Sequence, residues 1–386
     1  MKERDIIAAP VSDGSRKSLS KTGIYFGQTG QPVLVLATSC QELSAPVYEI
    51  TDPAPVCDRL SASQHLLDKS FVVCLKSFFQ LGGKRLIVMP IQIETGVEDL
   101  ASEYRTKLLG VDGGFGNRTG IHRLRDFEAC GDLLAFPQAA VVLGSEDLSA
   151  FYQEVQNFLE RRSHHFLLMD PPCYTDSEKL RIWARTFQSE MSALFFPWVS
   201  VPGLGLTPAS ILAAALIQRN DFQHSISTTP ANQVIDAKLE LLKEIPKAEV
   251  EALNQVHVNV FRRKPNSDLV LWGAFTTSKA GDHRSLIHLS RSLWSLKDAF
   301  ERVTESLVLE ARTESTCEKI HRSLEAFLEN CQREGLLVAR PGQKAYRIEV
   351  ELMAQGKGQW DSGIQIRVDV ALESADRFVG LQQEIS

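Results

Sequence analysis

Short apolar runs recur through the first 200 residues. Val33-Leu34-Val35-Leu36, Leu86-Ile87-Val88-Met89, Ala140-Val141-Val142-Leu143, Phe166-Leu167-Leu168-Met169 and Ala193-Leu194-Phe195-Phe196 each have the character of a fully buried strand. Between them the apolar residues take helical spacing. Over 62–80, Leu66, Val73, Phe78 and Phe79 form a stripe, and Gly82-Gly83 supplies the stop. Further helices are predicted over 147–162, opened by Glu146-Asp147, and over 176–190, with Ile182, Trp183 and Phe187 as apolar members. Residues 205–216 read as a buried helix. The alternation predicts an α/β layer structure, a sheet covered by helices.

The pattern changes after Asn232. Val258 and Val260 alternate with polar residues, and Leu269-Val270-Leu271-Trp272 reads as a strand. Two long amphipathic helices follow. Leu286, Leu289, Leu293, Leu296, Phe300 and Val303 stripe the first; Ile320, Leu324, Phe327, Leu328 and Cys331 stripe the second. Two strands of period two come next: Tyr346, Ile348, Val350 and Leu352, then Ile364, Ile366, Val368 and Val370. Such strands have one dry and one wet face. The expected organisation is an N-terminal arm (1–20), an α/β middle domain (21–232), a C-terminal domain of two helices and an alternating sheet (233–373), and a C-terminal arm (374–386).

Composition narrows the function classes. The 386 residues are 44% hydrophobic and 23% charged, with net charge -6, which suits a folded chain and argues against nucleic-acid binding. No apolar run approaches the roughly 18 residues of a membrane span, and the N-terminus lacks the apolar region of a signal peptide, so assembly in the cytoplasm is expected. Seven cysteines without a CxxC pair suggest neither a disulfide framework nor a zinc site.

Candidate chemistry is sparse. The 110–120 segment, with Asp112, Gly113, Gly114, Arg118, Thr119 and Gly120, is the most unusual. A glycine-rich loop can cradle phosphate, but no Gly-Lys-Ser/Thr follows. A structural turn tied by Asp112 and Arg118 is the stronger reading. His165 and Asp170 are separated by one strand and fall at its opposite ends, and Asp170-Pro171-Pro172 reads as a rigid strand exit. No nucleophile, base and orienting group come together. No cofactor and no metal are expected.

Taken in order, these landmarks resemble the tail-sheath family of contractile phages and contractile injection systems. Phe78-Phe79-Gln80-Leu81-Gly82-Gly83 is similar to its "FF-x-NGG" helix end. Gly110-Val111-Asp112-Gly113-Gly114 with Arg118-Thr119-Gly120-Ile121 is similar to "G-x-DGG…RTGL", Asp170-Pro171-Pro172 to "DPP", and Ala193 to Trp198 to "A-x-YYPW". Pro230-Ala231-Asn232 is similar to "PAN", and Trp272-Gly273-Ala274 opens a "WGART"-like stretch. The terminal strand is more polar than the family's, and Leu309-Glu310-Ala311-Arg312 stands where the family has "FEPN".

The resemblance implies a structural subunit, not an enzyme. It would polymerise with itself or with sheath paralogues into a helical sleeve, contracting around an inner tube protein and meeting baseplate and cap proteins. No nucleic acid and no membrane insertion are implied. Strand exchange would link the copies: arms carrying Ile6 and Ile7, and Phe378 and Leu381, would add to a platform of Ile348, Val350, Ile364, Ile366, Val368 and Val370. Trp272 would belong to the structural signature. Two other readings stay open: a non-polymerising piece at the baseplate or cap, and an α/β enzyme binding phosphate at 110–120.

Overall fold

The computed structural model describes residues 29–385 apart from 128–130, 163–164, 236–237, 266–267, 306–312, 355–361 and 376. Ile6 and Ile7 therefore lie outside the described residues. In chain order the elements are β1 (Pro32–Thr38), β2 (Tyr48–Ile50), α1 (Ala54–Leu60), α2 (Leu66–Gln80), β3 (Leu86–Gln92), α3 (Leu100–Leu109), β4 (Leu133–Ala135), α4 (Ala139–Val142), α5 (Ser145–Arg162), β5 (Phe166–Met169) and α6 (Ser177–Ala184). They continue as β6 (Ser192–Phe196), β7 (Val199–Val201), β8 (Gly205–Thr207), α7 (Ala209–Gln223), β9 (Val234–Ile235), β10 (Glu240–Leu241), α8 (Lys247–Asn254), β11 (Val258–Arg263) and β12 (Leu269–Trp272). The last are α9 (Ile287–Glu305), α10 (Glu314–Arg333), β13 (Tyr346–Ala354), β14 (Ser362–Ala371) and β15 (Phe378–Ile385). The fold is mixed α/β.

The described residues form two units. One holds 29–224 and 228–287; the other holds 225–227 and 288–385. The sequence placed this boundary at 232. The sheet explains the difference: β11 pairs in parallel with β6, β12 pairs with β11, and β9 closes the edge on β12. Those strands complete the middle domain rather than opening a new one.

The first unit is built on a nine-stranded sheet, ordered β2-β3-β1-β4-β5-β6-β11-β12-β9. Taken in chain order, the parallel strands β1, β3, β4, β5 and β6 stand 2-1-3-4-5 across it, the flavodoxin-like arrangement. Side chains alternate between two cores. Val33, Val35 and Ala37 face the layer of α3, α5, α6 and α8, while Leu34 and Leu36 face α1, α2 and α7. Because both faces are covered, the strands read as continuous apolar runs. Aromatic rings fill the first layer. Phe136 and Phe151 meet edge-to-face at 5.1 Å, and Trp183 and Phe187 at 4.7 Å.

The helix end at 78–83 follows from its glycines. The N–H groups of Gly82 and Gly83 donate to the carbonyls of Phe79 and Phe78 at 3.1 and 3.0 Å. Gly82 has φ +96°, and a Cβ on Gly83 would lie 2.3 Å from the Phe78 ring. Side chains at these positions would break this cap.

Three local expectations are corrected. The 140–143 run is not a strand: Ala139–Val142 is the helical turn α4, and the strand is the preceding Leu133–Ala135. A four-residue apolar run fits either state. The 62–80 helix begins at Leu66 after a separate helix, α1. Ile182 does not join the core of α6; it is exposed, whereas Leu180, Trp183 and Ala184 are buried.

In the second unit, α10 buries Ile320, Leu324, Phe327, Leu328 and Cys331 and packs along β13. The antiparallel sheet runs β13-β14-β15. Ile364, Ile366, Val368 and Val370 on the middle strand are buried. Ile348 and Val350 on β13 are half-buried, and Leu352 is exposed despite its place in the apolar row. The terminal segment, read from sequence as an arm for a neighbour, here pairs as β15 with its own chain's β14 from Phe378↔Ala371 to Ile385↔Ile364.

Candidate functional site

In a doubly wound sheet, ligands bind beyond the carboxyl ends of the strands where the order reverses. Here that place lies between β1 and β4, and the chain's own side chains fill it. Gln138, fully buried, accepts the Ala37 N–H through Oε1 at 2.6 Å. Its Nε2 donates to the carbonyls of Ala37 and Leu67 at 3.1 and 2.8 Å. Beside it, buried Asp68 accepts from Thr38 Oγ1 (2.6 Å), the Ser39 N–H (2.9 Å), and the hydroxyls of Ser39 and Ser63 (2.5 Å each). Burial alone would raise the Asp68 carboxyl, but these donors outweigh it and hold it below the usual range. The crevice is closed by a satisfied polar network. Neither residue stood out in the sequence, where Gln138 merely follows a proline.

The 110–120 loop is a self-tied turn. Thr119 Oγ1 accepts the Val111 N–H at 2.9 Å, and the Thr119 N–H returns to the Val111 carbonyl at 3.0 Å. Gly110 and Gly120 have φ +61° and +54°, and a Cβ on either would lie within 2.4 Å of the backbone opposite. Arg118 Nε donates to Asp112 Oδ1 at 2.9 Å, Arg125 donates to Asp112 Oδ2 at 2.6 Å, and Arg118 also pairs with Asp126. Hydrogen bonding to Arg118 holds the Asp112 carboxyl below its usual range. Gly113 and Gly114 form the bend, and the Gly114 N–H reaches Asp112 Oδ1 at 3.3 Å. A cleft of about 450 Å³ beside the loop is lined by Leu109, Ile121, Phe158, and the carboxylate residues Asp112 and Glu154. The nearby guanidinium groups are committed to carboxylates, so this geometry offers phosphate little positive charge.

Asp170, fully buried at the end of β5, reaches the start of α7. Its Oδ1 accepts the Ser210 N–H at 2.7 Å, and Oδ2 accepts the Ser210 hydroxyl. Burial pushes its carboxyl up to about 7, against these hydrogen bonds. The Pro171 carbonyl accepts from Trp198 Nε1 at 3.1 Å, so Asp170 and Pro171 tie the strand exit to two later segments, while the Pro172 carbonyl accepts the Thr175 N–H at 3.1 Å in a local turn. His165 begins the strand that Asp170 ends, leaving them at opposite ends. Trp272 is 39% exposed, with the Arg262 guanidinium 5.0 Å from its ring centroid. The clamp on the segment after β12 is Asn259, missed in the sequence. Its amide accepts the Phe275 N–H at 2.7 Å and donates to the carbonyls of Phe275 (2.8 Å) and Leu194 (3.1 Å).

The C-terminal sheet gathers the remaining candidates. Its dry row holds Ile348 and Val350, then Ile364, Ile366, Val368 and Val370, then Leu381. Phe378 is on the opposite face from Leu381, under the Arg347 guanidinium at 4.4 Å. Among the described residues, the outer edge of β13 has no strand partner. No group of residues able to hold a metal occurs among those described, and no described helix is long and apolar enough to cross a membrane.

Residues 132–277 match the model of the phage tail sheath protein central domain. No curated protein matches the chain in sequence. Among solved structures, a chain of the anti-feeding prophage baseplate is similar at TM-score 0.68 and 21% identity, over 90% of each chain. A chain of the anti-feeding prophage helical sheath in the contracted state is similar at TM-score 0.67 and 20% identity, covering 99% of this chain and 97% of that one. The sheath tail protein of Desulfitobacterium hafniense is similar at TM-score 0.61 and 10% identity, covering 96% and 98%. These are sheath and baseplate components, not enzymes. Residues 132–277 thus match a phage tail sheath central domain, and the chain as a whole shares the fold of solved sheath proteins.

Proposed function

We propose that this chain is the structural subunit of a contractile sheath around the inner tube of a phage-tail-like injection system. Copies link by strand exchange. Residues 5–10 of one copy, with Ile6 and Ile7, add to the outer edge of another's β13, beside Ile348 and Val350. The 375–385 segment of a third takes the edge of β14, setting Leu381 against Val368, with Phe378 on the other face. Repetition of such a non-closing contact produces a helix. The sleeve assembles in the cytoplasm in an extended, kinetically trapped form and shortens by rigid-body rearrangement without nucleotide. Its partners are itself, the inner tube, and baseplate and cap proteins.

One observation carries this reading: a sheath central domain shares its chain with a C-terminal sheet whose β13 edge is unpaired among the described residues. Electron microscopy of the purified full chain tests it, with tubes or helical fragments as the expected result. A uniform population of monomers at high concentration counts against it. The likeness to a baseplate chain favours a second reading, a component confined to the baseplate end. Closed rings without tubes would select that reading.

A further inference from the structure

Resting on the sheath reading, we propose that β15 is an assembly gate. In the free subunit it fills its own β14 edge, the place a neighbour's C-terminal strand must take, and subunits link only after it leaves. The strand is complete in register, with eight paired positions from Phe378 to Ile385, yet among its described side chains only Leu381 is buried. Leu381 is buried; Val379 and Phe378 are half-buried; Gly380, Gln382 and Glu384 are exposed. The middle strand, by contrast, buries Ile364, Ile366, Val368 and Val370.

Two positions in β15 work against tight docking. Gln383 stands in the dry row opposite Ile366, where an aliphatic side chain would fit the pattern. A cleft of about 180 Å³ opens there, between Leu381, Gln382 and Gln383 and the α9 residues Lys297, Phe300 and Glu301. Gly380, paired with Asp369, adds the backbone entropy of a mid-strand glycine. The stacking of Arg347 on Phe378 anchors only the strand's first residue.

Residues 372–377 connect β14 to β15, far longer than a tight two-residue hairpin. Leu372, 3% exposed, fixes the start of that connection, and the Arg377 N–H closes a turn on the Ser374 carbonyl at 3.1 Å. The swing therefore begins after Leu372. Exchange replaces the chain's own strand by an identical one, so the swap itself is nearly neutral in contacts. At low concentration the tethered strand wins through its higher effective concentration. Additional contacts at the end of a growing sleeve would tip the balance, restricting linkage to that end.

The test locks the gate. Arg367 and Gln382 are register partners, and both are exposed. The double variant Arg367→Cys/Gln382→Cys is compared oxidised and reduced, with similarly treated wild-type protein controlling for native cysteines. The expected result is tubes from the reduced protein and at least a ~10-fold loss of polymer from the oxidised one, since a disulfide across an antiparallel pair blocks departure. Equal polymerisation of both forms overturns the gate while leaving the sheath reading intact. Failure of the wild-type chain to polymerise sinks the sheath reading, and the gate with it. Hydrogen exchange on the free full chain gives an independent check. Amides of β15 are expected to exchange at least ~10-fold faster than those shared by β13 and β14; equal protection overturns the proposal.

Discussion

Gln138 holds Ala37 by both of its backbone groups, accepting the N–H at 2.6 Å and donating to the carbonyl at 3.1 Å. One amide side chain thus serves the end of β1 much as a neighbouring strand would, at the point where strand order reverses. The same amide also serves the Leu67 carbonyl at the start of α2. An open crevice here would be a ligand site; the filled one joins β1, α2 and the β4 exit. Gln138→Ala would strand both buried backbone groups of Ala37 and remove a second donor from the Leu67 carbonyl. Given the desolvation cost of unpaired buried groups, it should destabilise the protein by ~3 kcal/mol. Urea unfolding measures this, and a loss below ~1 kcal/mol would show that the network contributes little.

Asp170 should give stability an unusual pH slope. Its folded carboxyl is pushed up to about 7 by burial, above the ~3.9 of an unfolded aspartate. The folded state therefore keeps the proton longer. The contribution is fully present below about pH 4 and is lost as pH rises through 7. The slope is at most ~1.4 kcal/mol per pH unit, the limit for one titrating group. Asp170→Asn keeps a hydrogen-bonding side chain but cannot titrate. Between pH 4 and 7, wild-type stability should fall relative to the variant; a constant difference would exclude this role for Asp170.

The Arg118 pairs should matter locally, not globally. Asp112 and Asp126 bind the same guanidinium at the base of a loop whose tip, Phe115, is 85% exposed. Arg118→Ala should leave the melting temperature within ~2 °C of wild type, because these partly buried pairs tie the loop to itself and hold no part of the core. Limited proteolysis between 111 and 117 should become ~5-fold faster or more, because local opening is no longer opposed. A large fall in melting temperature with unchanged cleavage would reverse that assignment.

The contrast between Leu34 and Gln138 explains what the sequence made legible. Leu34 sits in an unbroken apolar run, so β1 could be read locally, as could β3, β5 and β6. The stripes of α9 and α10 were equally visible because amphipathic helices carry their own period. Gln138 gains its meaning from Ala37, 101 positions earlier, and Asn259 from Phe275 and Leu194. No local pattern encodes such partners. The α4 segment failed differently: four apolar residues suit a strand until Leu133–Ala135 takes the sheet position first. Asp112 and Arg118 were found because unusual glycine density drew attention to their loop.

The outer side of β13, which has no strand partner among the described residues, makes the last prediction. In its row Ile348 and Val350 are half-buried and Leu352 is 41% exposed. An unpaired edge beside exposed apolar side chains promotes association unless another strand covers it. Under the sheath reading, the 5–10 segment of another copy is that cover. Removing residues 1–12 should therefore abolish tubes while sparing the packing of α10 against β13. Far-ultraviolet circular dichroism and melting temperature should match wild type within ~2 °C, because every described core residue is kept. Adding a peptide of residues 1–12 in excess to the wild-type protein should occupy the edge and shorten the tubes in proportion to its concentration. Undiminished polymer from the truncated chain would show that another contact joins the subunits.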